Sequence, residues 1–113
     1  MKFNQVKIIE KPWGREIWLA VEKEYAGKIL EIKKGLKTSL QYHRRKKESI
    51  YVYEGELKVI HPGGESVLKK GESITLNPGD RHRLVAMKDL RLIEISTPEL
   101  DDVVRVEDDY GRE

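Results

Sequence analysis

The chain has no cysteine, which removes disulfides, thiolate metal ligands and cysteine nucleophiles from consideration. Long apolar runs are missing too. The longest, Ile17-Trp18-Leu19-Ala20-Val21, falls far short of the ~20 residues a membrane span needs. The opening Met1-Lys2-Phe3-Asn4-Gln5 lacks the apolar stretch of a secretory signal, so a soluble, cytoplasmic protein is expected. Alanine is scarce, at three residues, and no stretch of about twelve residues keeps a helical period. An excess of one charge sign is also absent. Twenty-two Lys and Arg against twenty Asp and Glu leave +2, too small a surplus to argue for nucleic acid. At 113 residues the chain has room for one domain, 1–113, with one core.

What the chain does contain is charge of both signs. Lys and Glu number fourteen each, while Asn and Gln number two each. That bias fits the ion-pair-rich surface of a heat-adapted protein or a charged mesophilic one. Val, Ile and Thr total twenty-two, an allocation that favours strands. Strand-like runs fall at 6–9, 16–21, 28–33, 38–43, 48–53, 56–60, 66–69, 73–76, 82–86 and 90–96. Turn residues separate most of them, as in Glu54-Gly55, His61-Pro62-Gly63-Gly64 and Asn77-Pro78-Gly79-Asp80. Many short strands with tight turns predict an all-β sandwich or barrel. Two stretches depart from this pattern: a loop around Lys11-Pro12-Trp13-Gly14 and an acidic tail over 98–113. The tail either stays disordered through self-repulsion or folds onto the barrel through Val103, Val104, Val106 and Tyr110.

Four separated residues have the chemistry of metal ligands. Gln41 and His43 are two apart, so on a strand they share a face. Glu48 begins the next strand, in phase with the apolar Ile50 and Val52, and therefore faces inward. His82 follows the turn at 77–80. An amide oxygen, a carboxylate and two imidazoles suit one divalent ion, with zinc first and manganese, cobalt, nickel or iron as alternatives. Taken singly, each histidine reads equally as a hydrogen-bonded core residue. His61 has no partner and reads as a turn residue. Arg81 and Arg83 flank His82 and by alternation point away from it.

Gly35, five residues, Gln41-Tyr42-His43, four residues, Glu48, six residues and Gly55 resemble the first motif of the cupins. Gly71, Pro78-Gly79 and His82 resemble the second more loosely, with Ala86 where Asn is common. The resemblance implies a single-domain cupin, a double-stranded β-helix or jelly-roll barrel, with Gln41, His43, Glu48 and His82 on an internal metal. A narrower likeness rests on Lys11-Pro12-Trp13-Gly14, Ser39-Leu40-Gln41-Tyr42-His43, Leu92-Ile93-Glu94 and the tail from Asp101 to Arg112. These look like the type II mannose-6-phosphate isomerases. The likeness implies a metal-dependent aldose–ketose isomerase interconverting mannose 6-phosphate and fructose 6-phosphate. Where that family carries Arg this chain has Lys46, which keeps the charge and loses the two-pronged fork.

On this reading Lys46, Arg105 and Glu94 are catalytic candidates, with Asp108 or Asp109 as other proton acceptors. Lys37, Ser39, Lys46 and Arg105 are the substrate-binding candidates, and Arg44 and Arg45 add charge near the pocket. Trp13, Trp18, Tyr51 and Tyr53 either stack on a sugar or pack at a rim. Two other functions stay open: a non-catalytic sugar-phosphate-binding cupin and an iron-dependent dioxygenase. No Gly-rich phosphate loop is present, so nucleotide-sugar synthesis is not expected. A homodimer is expected, paired through edge strands or an exchanged 6–9 strand.

Overall fold

A computed structural model describes residues 1–111; Arg112, the end of the tail motif, lies outside them. Among the described residues there are eleven strands and no helix, so none that could cross a membrane. They are β1 (Lys7–Lys11), β2 (Gly14–Val21), β3 (Ala26–Ile32), β4 (Leu40–Tyr42), β5 (Glu48–Glu54) and β6 (Glu56–His61). β7 (Gly64–Lys69), β8 (Ser73–Leu76), β9 (Arg83–Ala86), β10 (Leu90–Ser96) and β11 (Val104–Glu107) complete them. All ten expected strands are found, shifted by a few residues at their ends.

One sheet runs β1-β2-β3-β10-β5-β8, and a second runs β7-β6-β9. The pair β11-β4 extends the second sheet, because β4 and the residues before it run antiparallel to β9: Lys37 bridges Val85 and Gln41 bridges His82. Every paired ladder is antiparallel. Two such sheets face to face make a jelly-roll barrel, the architecture that the sequence resemblance implies.

The turns explain the tightness of the connections. Pro12-Trp13 is the whole link between β1 and β2, since Lys11 pairs with Gly14, and Trp13 enters the core. The loop expected at 11–14 is therefore a hairpin tip. Gly55 joins β5 to β6 with φ of 93°, and a Cβ there would run into the Asp89 carbonyl. Only glycine meets both conditions.

Strand alternation sorts the side chains, and position along the strands sorts them again. Leu30 and Ile32 of β3, Leu90 and Leu92 of β10 and Ile50 and Val52 of β5 face inward and form the core with Leu57, Val59 and Leu84. Further along the same inward rows the residues turn polar: Lys28 on β3, Glu94 and Ser96 on β10, Glu48 on β5. The register aligns them, with Glu94 opposite Lys28 and Ser96 opposite Glu48. One end of the barrel is packed with hydrocarbon and the other is lined with charge.

The tail is the one element the strand pattern missed. β11 pairs with β4, placing Val104 opposite Tyr42 and Arg105 opposite Gln41. Tyr110 packs against the core and its hydroxyl donates to the Lys37 carbonyl at 2.9 Å. The acids do not repel the tail off the barrel because cations meet them. Asp109 pairs with Lys37 at 3.1 Å and with Arg83 at 3.2 Å.

Candidate functional site

The charged end encloses a cavity of about 540 Å³. His43 lies just past β4, Glu48 opens β5 and His82 precedes β9. Gln41 and His82 exchange two backbone hydrogen bonds of 2.9 Å, which fixes the two motifs side by side. His43, Glu48 and His82 are all buried, and their donor atoms lie within 4.8 Å of one another. Such a group could hold a metal ion.

The histidine rings are already oriented for that purpose. His43 Nδ1 donates to the Asp102 carbonyl and His82 Nδ1 to the Asp80 carbonyl, the latter at 2.9 Å. Each ring therefore turns Nε2 toward Glu48 Oε1, at 3.3 Å and 3.6 Å. Anchoring one ring nitrogen on a carbonyl is how metal-binding histidines are held. His43 Nε2 and Glu48 Oε2 are fully buried and make no well-formed hydrogen bond. For His43 Nε2 this costs about 1–3 kcal/mol, which a shared cation would remove, while Glu48 Oε2 keeps the Lys46 ammonium at 3.2 Å. The donor set fits one divalent ion.

Gln41, the fourth expected ligand, lines the same cavity, and its Oε1 accepts a 2.6 Å hydrogen bond from Ser39. Ser39 is fully buried and is not part of the cavity wall. Its hydroxyl is taken up by the Gln41 amide. Lys37, the next substrate-binding candidate, also lies away from the cavity wall. Its ammonium is engaged with Asp109, outside the cavity wall, because the folded tail supplies a nearer anion. Arg44, Arg45, Asp108 and Asp109 are likewise not among the lining residues, nor are Arg81 and Arg83. Arg83 is nonetheless buried, with its Nε on the Thr38 carbonyl at 2.8 Å.

Lys46 and Glu94 do reach the cavity. The Lys46 ammonium sits 3.2 Å from Glu48 Oε2 and 3.1 Å from Glu94 Oε2, with all three residues buried. Burial works against the Glu48 carboxylate, but His43 and Lys46 outweigh it and hold the pKa well below the usual range. Glu94 goes the other way: burial first, then the nearby Glu48 charge, push it up to about 7. Burial would lower the Lys46 pKa, yet the two carboxylates raise it. His43 is raised as the contact with Glu48 overcomes burial, whereas burial lowers His82. Arg105 lines the cavity from β11 with its Nε buried and without a hydrogen-bond partner.

Further along the same sheet, β2 and β3 add cavity residues the motif reading missed. Lys28 is 5% exposed, 3.4 Å from Glu16 and 4.8 Å from the centre of the Trp18 ring. Trp18 Nε1 donates to Glu16 at 2.8 Å. Of the four aromatics considered for sugar stacking, Trp18 and Trp13 line the cavity, while Tyr51 and Tyr53 are exposed on the outer face. Alternation carried the signal for Lys28, which is in phase with Leu30 and Ile32 on β3.

The family model for the mannose-6-phosphate isomerase C-terminal region matches residues 2–108. The chain belongs to this family. Mannose-1-phosphate guanylyltransferase ManC from Salmonella typhimurium is 35% identical over 109 residues, covering 92% of the chain and 23% of that enzyme. The chain thus spans about a quarter of the length of its curated relatives. An RmlC-like cupin from Shewanella frigidimarina superposes with a TM-score of 0.77 at 26% identity, covering 86% of this chain and 87% of that one. A sugar phosphate isomerase of the cupin superfamily from Silicibacter pomeroyi gives 0.63 at 22% identity, covering 73% and 59%. For this isomerase C-terminal family member, the structural likenesses establish a cupin barrel.

Proposed function

We propose that the chain is a metal-dependent aldose–ketose isomerase acting on a sugar phosphate, with mannose 6-phosphate and fructose 6-phosphate as the pair. The observation that carries this reading is one cavity holding the His43-Glu48-His82 group, the buried Lys46–Glu94 pair and the unpartnered Arg105 Nε. A divalent ion bound by that group, with Gln41 as a fourth ligand, supplies Lewis-acid polarisation of the sugar carbonyl.

The chain's own residues have separable tasks in this scheme. Glu94 takes the proton from the carbon beside the carbonyl and returns it to the neighbouring carbon. Burial, which pushes the Glu94 carboxyl up from the usual carboxylate range, suits it to taking and returning a proton. Lys46 bridges Glu94 and Glu48 and offers its remaining proton to a substrate oxygen. Arg105 binds the phosphate with its free donor. Charge supports a dianionic ligand: the lining cations Lys11, Lys28, Lys46 and Arg105 match the acids Glu16, Glu48, Glu94 and Asp101 in number. With Glu94 ionised, a bound divalent ion therefore leaves +2, the complement of a phosphate monoester.

The test is NMR of metal-analysed protein mixed separately with mannose 6-phosphate and fructose 6-phosphate. Each should appear from the other, and conversion should vanish in His43→Ala and with a chelator. Absence of conversion by the metal-loaded protein would sink the reading. One observation favours a non-catalytic sugar-phosphate-binding cupin instead: Glu94 is tied to Lys46 rather than free. Such a binder would be thermally protected by the sugar phosphates without turning them over. The two-histidine, one-carboxylate group also suits an iron-dependent dioxygenase, which oxygen consumption by the iron-loaded protein would select.

The partner proposed is a second copy of the chain. Across the outer face of the six-stranded sheet, Ile8, Ile17, Ile29, Ile93 and Tyr51 stand in one register row over five strands. Beside it Arg15, Glu31, Arg91 and Glu54 pair among themselves. A cover for this face needs hydrocarbon and no extra charge, which an identical face provides.

A further inference from the structure

The loop between His43 and Glu48 carries Arg44, Arg45, Lys46 and Lys47, four cations in succession. It nevertheless has to deliver His43 at one end and Glu48 at the other into a shared buried group. The Asp102 carboxylate sits over this loop and accepts three consecutive backbone N–H groups. Arg44 N is 3.0 Å from Oδ1, while Arg45 N and Lys46 N are 2.6 Å and 2.9 Å from Oδ2. The same residue's backbone carbonyl accepts the His43 Nδ1 proton. Asp102 is itself fixed on both sides. Thr97 exchanges hydrogen bonds with Lys47, and Val104 enters the β11–β4 ladder.

We propose that Asp102 is a positioning residue for the metal-binding group, through which the C-terminal tail sets how tightly a cation is held. This rests on the metal-binding reading above. The carboxylate fixes the backbone path from residue 44 to 46, and that path keeps the Asp102 carbonyl against the His43 ring. Without it the loop cations repel one another, the loop shifts, and the ring loses the acceptor that aims Nε2 at Glu48. Outer partners of metal-binding histidines are typically worth about 10- to 100-fold in metal affinity. Asp102 is not itself among the cavity-lining residues, and it meets the site through its contact with the His43 ring.

The experiment compares full-length wild type with Asp102→Ala, the milder Asp102→Asn, and Asp109→Asn. The last loosens the tail at its Lys37 and Arg83 contacts instead. Zinc affinity is read by competition with a chromogenic chelator. The His43 Nδ1–H signal is read by NMR of histidine-¹⁵N-labelled, metal-free protein. Asp102→Ala should weaken zinc binding by about 10- to 100-fold and abolish the protected N–H signal. Asp102→Asn, retaining one acceptor oxygen, should lose less of both. Asp109→Asn should lower the melting temperature while keeping zinc affinity and the signal.

Wild-type zinc affinity in Asp102→Ala would overturn the proposal. So would an equal loss in Asp109→Asn, which would reduce Asp102 to one contact among many. A wild-type protein that binds no zinc would defeat the metal reading instead. In that case an N–H signal unchanged in Asp102→Ala would still count against Asp102 as the residue that positions His43.

Discussion

Lys46 stands between two buried carboxylates that would otherwise face each other without a counter-charge. Removing one member of a buried ion pair costs about 3–5 kcal/mol, because the partner keeps its desolvation cost. Lys46→Met should therefore destabilise the fold by about 3 kcal/mol in urea unfolding, at the low end because Glu94 can escape by taking up a proton. Lys46→Arg should recover most of that loss. Arg105 poses a different question at the same scale. The residue lines the cavity and, among the described residues, its buried Nε has no hydrogen-bond partner, so its value should appear on ligand binding. Arg105→Gln should weaken mannose 6-phosphate binding by about 10- to 100-fold, the worth of one charged hydrogen bond. Calorimetric titration with mannose, which lacks the phosphate, should show no change.

Among the elements, the tail is where charge decides conformation. Asp102 is held near a pKa of about 2, first by the backbone N–H groups of Arg44 and Arg45, then of Lys46, with the His43 charge adding to them. A folded-state pKa below the unfolded value contributes stability above the unfolded pKa and loses it as pH falls through the folded one. The tail contact should thus be fully formed above pH ~4 and released as pH drops to about 2. Hydrogen exchange at the amides of residues 44 to 46, followed down a pH series and corrected for intrinsic rates, reads this directly. In Asp102→Asn the pH dependence should disappear. Among the described residues the tail's strand, β11, is short and pairs with β4 alone, so this lock adds to the Tyr110 and Asp109 contacts that keep the tail in place.

At the scale of the whole molecule, the outer sheet face carries the proposed self-association. Ile93 lies at the middle of the apolar row, flanked by Ile29 and Tyr51 in register. Ile93→Glu places a charge where two copies would meet, while in the monomer it points to solvent. Light scattering should give a dimer for wild type and a monomer for the variant, with unchanged circular dichroism. A wild-type monomer at micromolar concentration would contradict the dimer.

The period-two alternation of Val, Ile and Leu and the glycine-marked turns are local properties, and they determined the ten strands and the all-β class without reference to distant residues. Glu48 was legible as inward-facing for the same reason, since it keeps phase with Ile50 and Val52. The spacing of Gln41, His43, Glu48 and His82 located the candidate site. Contacts between distant residues were decided only by closure of the barrel. Lys46 meets Glu94 forty-eight positions away, and Lys37 is captured by Asp109 from the far end of the chain. Ser39 turned out to steer Gln41, and Lys28 was found inside opposite Glu16 and Trp18. The tail's acids read as self-repelling while the cations that receive them were out of sight. A side chain's direction follows from its own strand, whereas its partner follows from which strands the fold brings beside it.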